Sequence, residues 1–110
     1  MVNIYAPFTI QTFGHSMSPI LQDGDVVYLE KIEFEKIKIN DIICFKKGRK
    51  IFTHRVIYKT EKYLVTKGDA NPKSDGKIYP KNIIGLVSKI KRKGQIFRID
   101  DLYLIQSTFY

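Results

Sequence analysis

At 110 residues the chain is long enough for one domain that buries a modest core without disulfides or a structural metal. Its only cysteine, Cys44, excludes a disulfide framework and a thiolate zinc cluster. Two histidines do not by themselves complete a tetrahedral metal site, and nothing in the chain implies a metal or an organic cofactor. Nineteen basic against eleven acidic side chains leave a formal charge of +8, which suits nucleic acid, an anionic membrane surface or an acidic partner, but equally a solvated lysine-rich surface.

No run approaches the roughly 18 to 20 apolar residues of a membrane-spanning helix, and the longest, Ile83-Ile84-Gly85-Leu86-Val87, reads as a core strand. The start, Met1-Val2-Asn3-Ile4, lacks the charged leader and apolar stretch of a signal peptide. The expected location is cytoplasmic if the chain is complete. If an anchor has been removed, it is membrane-associated, with the domain outside the cytoplasm.

Turn-forming residues fall at Gly14, Asp23-Gly24, Gly48, Gly68, Asn71-Pro72, Asp75-Gly76 and Gly94, with short β-branched and aromatic runs between them. This is the pattern of an all-β sandwich or barrel, here a single domain over 1–110, with no repeat, linker or long helix. Strands are predicted at Phe8 to Phe13, Asp25 to Lys31, Asp41 to Lys46, Lys50 to Tyr58, Lys62 to Lys67, Ile83 to Lys91 and Gln95 to Ile99. The segment Ile32 to Ile39 alternates apolar and charged residues and fits a strand or a loop. Along the fourth strand, period-two alternation puts Phe52, His54, Val56 and Tyr58 on one face and Thr53 and Arg55 on the other. Lys89-Ile90-Lys91-Arg92-Lys93 reads as the charged face of a solvated edge, and the apolar tail Leu102-Tyr103-Leu104-Ile105 with Phe109-Tyr110 as packing on the barrel or touching a membrane surface or partner.

Four boxes carry the chemistry: Gly14-His15-Ser16-Met17-Ser18-Pro19, Asp23-Gly24-Asp25, Thr53-His54-Arg55-Val56 and Gly68-Asp69-Ala70-Asn71. Serine is a poor nucleophile unless a base lies within hydrogen-bond reach, and a histidine base needs a third group to orient its ring. Gly14 and Pro19 bracket a bend that can present a serine hydroxyl and its backbone N–H at a strand end. Ser16 and Ser18 compete as nucleophile, His54 and His15 as base, and Asp69 and Asp75 as acid. His15 is adjacent to Ser16, and neighbouring side chains on an extended segment diverge, which favours an exposed role for it. Asp25 is expected to close a turn and Arg55 to lie on the solvent face. Cys44 with His54 would suggest a cysteine nucleophile, but Ile42-Ile43-Cys44-Phe45 reads as a buried strand.

Ser16-Met17-x-Pro19 followed by Gly24-Asp25 resembles the serine box of type I signal peptidases and of self-cleaving repressor-type peptidases. The His54-Arg55-Val56 and Gly68-Asp69-x-Asn71 boxes narrow the resemblance to the archaeal and endoplasmic-reticulum branch, in which histidine replaces a lysine base. The resemblance runs from about Phe13 to Val87. It implies Ser16 as nucleophile, His54 as base, and two aspartates six residues apart, of which Asp69 is the first choice to hold the imidazole tautomer and Asp75 the second, acting through the site's geometry. Where some members carry a hydroxyl two residues before the nucleophile, this chain has Gly14. The implied activity is that of a serine endopeptidase cleaving extended peptides or precursor proteins after small residues. The rivals are a serine-lysine dyad using Lys67 or Lys59, self-cleavage, and a non-catalytic basic β-barrel. Nucleic acid is not the expected partner, peripheral membrane contact is the secondary one, and oligomeric state is left open.

Overall fold

Short runs of β-branched and aromatic residues become eight strands in the computed structural model, which describes residues 8–103: β1 (Phe8–Gln11), β2 (Val26–Glu30), β3 (Ile42–Lys47), β4 (Lys50–Lys59), β5 (Leu64–Lys67), β6 (Gly76–Ile78), β7 (Ile83–Arg92) and β8 (Gln95–Arg98). They form one antiparallel sheet in the order β1-β2-β7-β3-β4-β5-β6, with β8 paired to the far end of β7. The expected all-β class holds. Register shifts at Tyr28/Leu29, Cys44/Phe45 and Val56/Tyr58 supply local bends, since a bulge increases twist and turns a strand out of plane. The curled sheet brings β1 and β4, four places apart in the order, to opposite sides of one groove.

The curl buries both faces of β3. Ile42 and Cys44 join a cluster with Met17, Leu21, Val27, Leu29, Val87, Ile90 and Leu102. Ile43 and Phe45 point the other way, into Ile37, Val56, Leu64 and Ile78. Alternating side chains with both sides covered account for an unbroken apolar run where a one-sided strand would alternate. Truncating such a side chain, Phe45→Ala for instance, costs about 3–5 kcal/mol. Gly85, opposite Cys44 in the middle of β7, is required by close approach: a Cβ there would lie 2.9 Å from the Glu30 carbonyl oxygen.

Several expectations need correction. Tyr58 leaves the His54 face because the shift at Val56/Tyr58 reverses the alternation; it is exposed, and Lys59 turns inward instead. Strand β6 was not anticipated, being three residues long and starting at a glycine. The 32–39 segment is a loop with one 3-10 turn at Phe34–Lys36. Ile99 begins a helical turn over residues 99–103 instead of ending a strand, and Leu102 enters the core. The remaining tail residues, Leu104 to Tyr110, lie outside the described residues. Lys89 to Arg92 are not an edge. They sit in β7 between β2 and β8, with Lys89 and Lys91 solvated and Arg92 drawn to Asp25.

Candidate active site

Ser16 rides on the loop between β1 and β2, which is cinched at its base. Thr12 N–H donates to the Asp25 carbonyl at 2.7 Å and Gly24 N–H to the Thr12 carbonyl at 2.9 Å. The Asp25 carboxylate, buried from solvent, accepts the Gln22 N–H at 2.8 Å and both Nε and Nη2 of Arg92 at 2.9 and 2.8 Å. Asp25 thus closes the turn as expected and also ties it to β7. Within the loop Met17, Ile20 and Leu21 are core residues, so the nucleophile candidate stands beside a buried anchor.

His54 projects from β4 toward that loop. It is 4% exposed, with the rings of Phe52 and Phe45 centred 5.6 and 6.1 Å away. Its Nε2 lies 3.0 Å from Ser16 Oγ and its Nδ1 2.7 Å from Asp75 Oδ2. An ionised carboxylate only accepts, so Nδ1 carries the hydrogen and Nε2 presents its lone pair to the serine hydroxyl. Asp75 Oδ2 also accepts the Thr66 hydroxyl at 2.7 Å, Asp75 N–H donates to the Thr66 carbonyl at 2.8 Å, and Lys47 Nζ donates to the Asp75 carbonyl.

Asp69, the first choice to hold the imidazole, is elsewhere. It forms a two-pronged pair with Arg55, Nε to Oδ1 and Nη2 to Oδ2, both at 2.7 Å. Arg55 is not on a solvated face: its side chain is 15% exposed. Its Nη1 donates to the Asn40 carbonyl at 2.9 Å and to the Tyr103 hydroxyl, and the guanidinium lies over the Tyr103 ring at 5.2 Å. The hydrogen bonds to Asp69 raise the guanidinium above its already high ordinary pKa, burial opposes this, and Tyr103 adds to it. The physical reason for the correction is strand alternation. His54 and Arg55 are successive on β4 and point to opposite sides, so an aspartate facing one is turned away from the other.

The Gly68-Asp69-Ala70-Asn71 box still reaches Ser16, through its backbone. Ala70 N–H donates to the Ser16 carbonyl at 2.8 Å and Asp69 N–H to Met17 Sδ at 3.3 Å. Gly68 is required because a Cβ there would sit 2.7 Å from that same Ser16 carbonyl oxygen. The lysines considered as bases are engaged with carbonyls: Lys67 Nζ with Gly68 and Asn71 at 3.0 and 2.7 Å, Lys59 Nζ with Phe34 and Ile37 at 2.7 and 2.6 Å. His15 is exposed, and Ser18 N–H closes a turn on its carbonyl at 3.1 Å. Burial pushes the Cys44 thiol up to about 11, partly offset by Thr53, so it is not a thiolate at neutral pH. Among the described residues no cluster of three or more His, Cys, Asp or Glu side chains could hold a metal.

Thr66 and Lys47 were missed. For Thr66 there was a signal: a hydroxyl two residues from Leu64, at an inward position of a strand, both fully buried.

A groove of about 250 Å³ runs past Ser16 and His54, walled by Ile10 and Phe13 on one side and Ile51 and Phe52 on the other. Strand edges open onto it. Among the described residues β1 pairs only with β2, and β5 pairs with β4 only from Arg55 onward, which leaves Lys50 to His54 with a described partner on one side. A serine, an imidazole and a carboxylate hydrogen-bonded in sequence beside an open groove is the arrangement that serine-histidine hydrolases use.

The chain is similar to the signal peptidase complex catalytic subunits SEC11 of two fungi. It is 32% identical over 85 residues to that of Clavispora lusitaniae, covering 72% of this chain and 50% of the relative. With that of Colletotrichum graminicola it is 35% identical over 91 residues, 76% of this chain and 52% of the relative. A shorter match, 40% identical over 60 residues, covers 46% of this chain and 34% of a Staphylococcus aureus protein named inactive signal peptidase IA. The chain spans about half the length of the SEC11 relatives. Neither a family model nor a solved structure matches it. The resemblance to type I signal peptidases of the endoplasmic-reticulum branch is borne out by these relatives. Among the described residues no helix is long and apolar enough to cross a membrane.

Proposed function

We propose that the chain is a serine endopeptidase of the signal peptidase I type, with Ser16 as nucleophile, His54 as general base and Asp75 orienting the imidazole. The observation that carries the reading is the unbroken relay from Ser16 Oγ through His54 to Asp75 Oδ2, at 3.0 and 2.7 Å. Ser16 Oγ attacks the scissile carbonyl while its proton passes to Nε2. Asp75 stabilises the imidazolium that forms. The proton then goes to the leaving amine, and a water activated by the same imidazole releases the acyl group. Ser16's own N–H is the proposed oxyanion donor, Gly14 having no side chain to offer.

The substrate is an extended segment of a precursor protein with small residues before the cut. It is supported by the edge of β1 and the stretch Lys50 to His54, each paired on one side only among the described residues, between which a peptide can add as a strand. Phe13 and Ile51, 76% and 54% exposed at the groove, offer an apolar rim to such a segment or to a membrane surface. The test is cleavage of synthetic peptides with alanine before the scissile bond, by wild type and Ser16→Ala. Turnover that Ser16→Ala abolishes supports the reading; turnover that survives it refutes the assignment of the nucleophile.

A further inference from the structure

Asp75 reaches His54 with one oxygen, and that oxygen is shared. Thr66, on β5 and fully buried, donates its hydroxyl to the same Oδ2 that accepts the His54 Nδ1–H, each at 2.7 Å. A buried hydroxyl needs a partner, and here the partner is a carboxylate that without it is free to rotate about its last bond and offer either oxygen to the ring or neither. Thr66 also holds the backbone that carries the carboxylate. Its carbonyl accepts Asp75 N–H at 2.8 Å, and it is the cross-strand partner of Gly76, the next residue. Two attachments from one residue, one to the main chain and one to the side chain, fix both the position and the twist of the carboxylate.

We infer that Thr66 is a positioning residue for the His54–Asp75 pair, its hydroxyl holding a carboxylate oxygen in line with Nδ1 of the imidazole and thereby keeping the ring proton on that nitrogen. The inference rests on the proposed peptidase reading for its effect on rate, but not for its effect on the ring. An ionised Asp75 with two donors on Oδ2 is a fixed acceptor, so Nε2 stays unprotonated toward Ser16. With the hydroxyl gone, the carboxylate samples other rotations, and the fraction of molecules with the productive tautomer falls.

The experiment is the series Thr66→Ser, Thr66→Cys and Thr66→Val. It reads kcat and KM on an alanine-containing peptide, together with the downfield proton resonance of the His54 Nδ1–H. Ser keeps the donor, Cys offers a weak one and Val none. Val is expected to lower kcat about 10- to 100-fold, the usual range for groups that orient an acting residue, with KM nearly constant. Ser should restore kcat to near wild type with Cys between, and the resonance should move upfield in the same order. Rates and resonance that follow side-chain volume instead, with Ser the most damaging and Val near wild type, would overturn the inference, as would Ser as damaging as Val. Should Val fail to fold, the order of Thr, Ser and Cys decides. Should the wild type cleave no peptide, the function proposed above fails, and the resonance series still decides the role of Thr66.

Discussion

His54 and Arg55 are neighbours on one strand, and each takes an aspartate from the same stretch of chain, yet the two pairs are built for different work. On the His54 side Asp75 meets a single ring nitrogen, backed by a buried hydroxyl, and the ring passes on to Ser16 at the lip of an open groove. On the Arg55 side Asp69 is gripped by two guanidinium nitrogens, and the group continues to Asn40 and Tyr103, away from the groove. The first pair holds one proton in one place, as base catalysis requires. The second makes a planar fork that fixes a loop, the use to which arginine is suited. The loop so fixed holds the Ser16 carbonyl through Ala70 N–H, so the clamp serves the nucleophile from behind.

Breaking the relay itself should have the largest effect. Ser16→Ala or His54→Ala is expected to cut kcat on the order of 10⁴- to 10⁶-fold with little change in melting temperature, read by peptide hydrolysis and thermal denaturation. Asp75→Asn keeps the shape but offers the ring a donor, and should cost roughly 10⁴-fold. Asp69→Asn sharpens the contrast: it should lower kcat only about tenfold but reduce stability by about 1–3 kcal/mol as the Arg55 fork loses its charged partner. A calorimetric scan separates the two aspartates by which observable moves. Gly68→Ala is expected to lower kcat toward 100-fold with a smaller change in KM, because its Cβ displaces the Ser16 carbonyl from 2.7 Å. The smallest effect is at Cys44, whose thiol, pushed up to about 11, should resist a maleimide at neutral pH until the protein unfolds.

The all-β class and the core strand around Ile83 to Val87 were legible because strand patterning is local: runs of apolar and β-branched residues between turn residues. The place of His54 on one face with Phe52 and Val56 was legible for the same reason, since alternation on β4 names both, whereas Phe45 reaches the ring from β3 and was not named by it. Alternation also contained the answer for Asp69, because a strand that turns His54 to one side turns Arg55 to the other. What was not legible was which aspartate each would meet. That depends on the path of residues 68–75 across the end of the sheet, on the glycine that lets the loop approach Ser16, and on a strand of three residues at Gly76–Ile78, too short to leave a pattern. The escape of Tyr58 from the His54 face was hidden likewise, because a bulge is a property of two strands and not of either sequence.

The most direct measurement of the central claim is the rate at which a serine-directed acylating or phosphonylating reagent modifies Ser16, located by mass spectrometry of the intact protein and its peptides, in wild type, Asp75→Asn and Asp69→Asn. Labelling at Ser16 in wild type and Asp69→Asn, with near-complete loss in Asp75→Asn, is the predicted result. Labelling lost in Asp69→Asn and kept in Asp75→Asn, or labelling at Ser18, would contradict it.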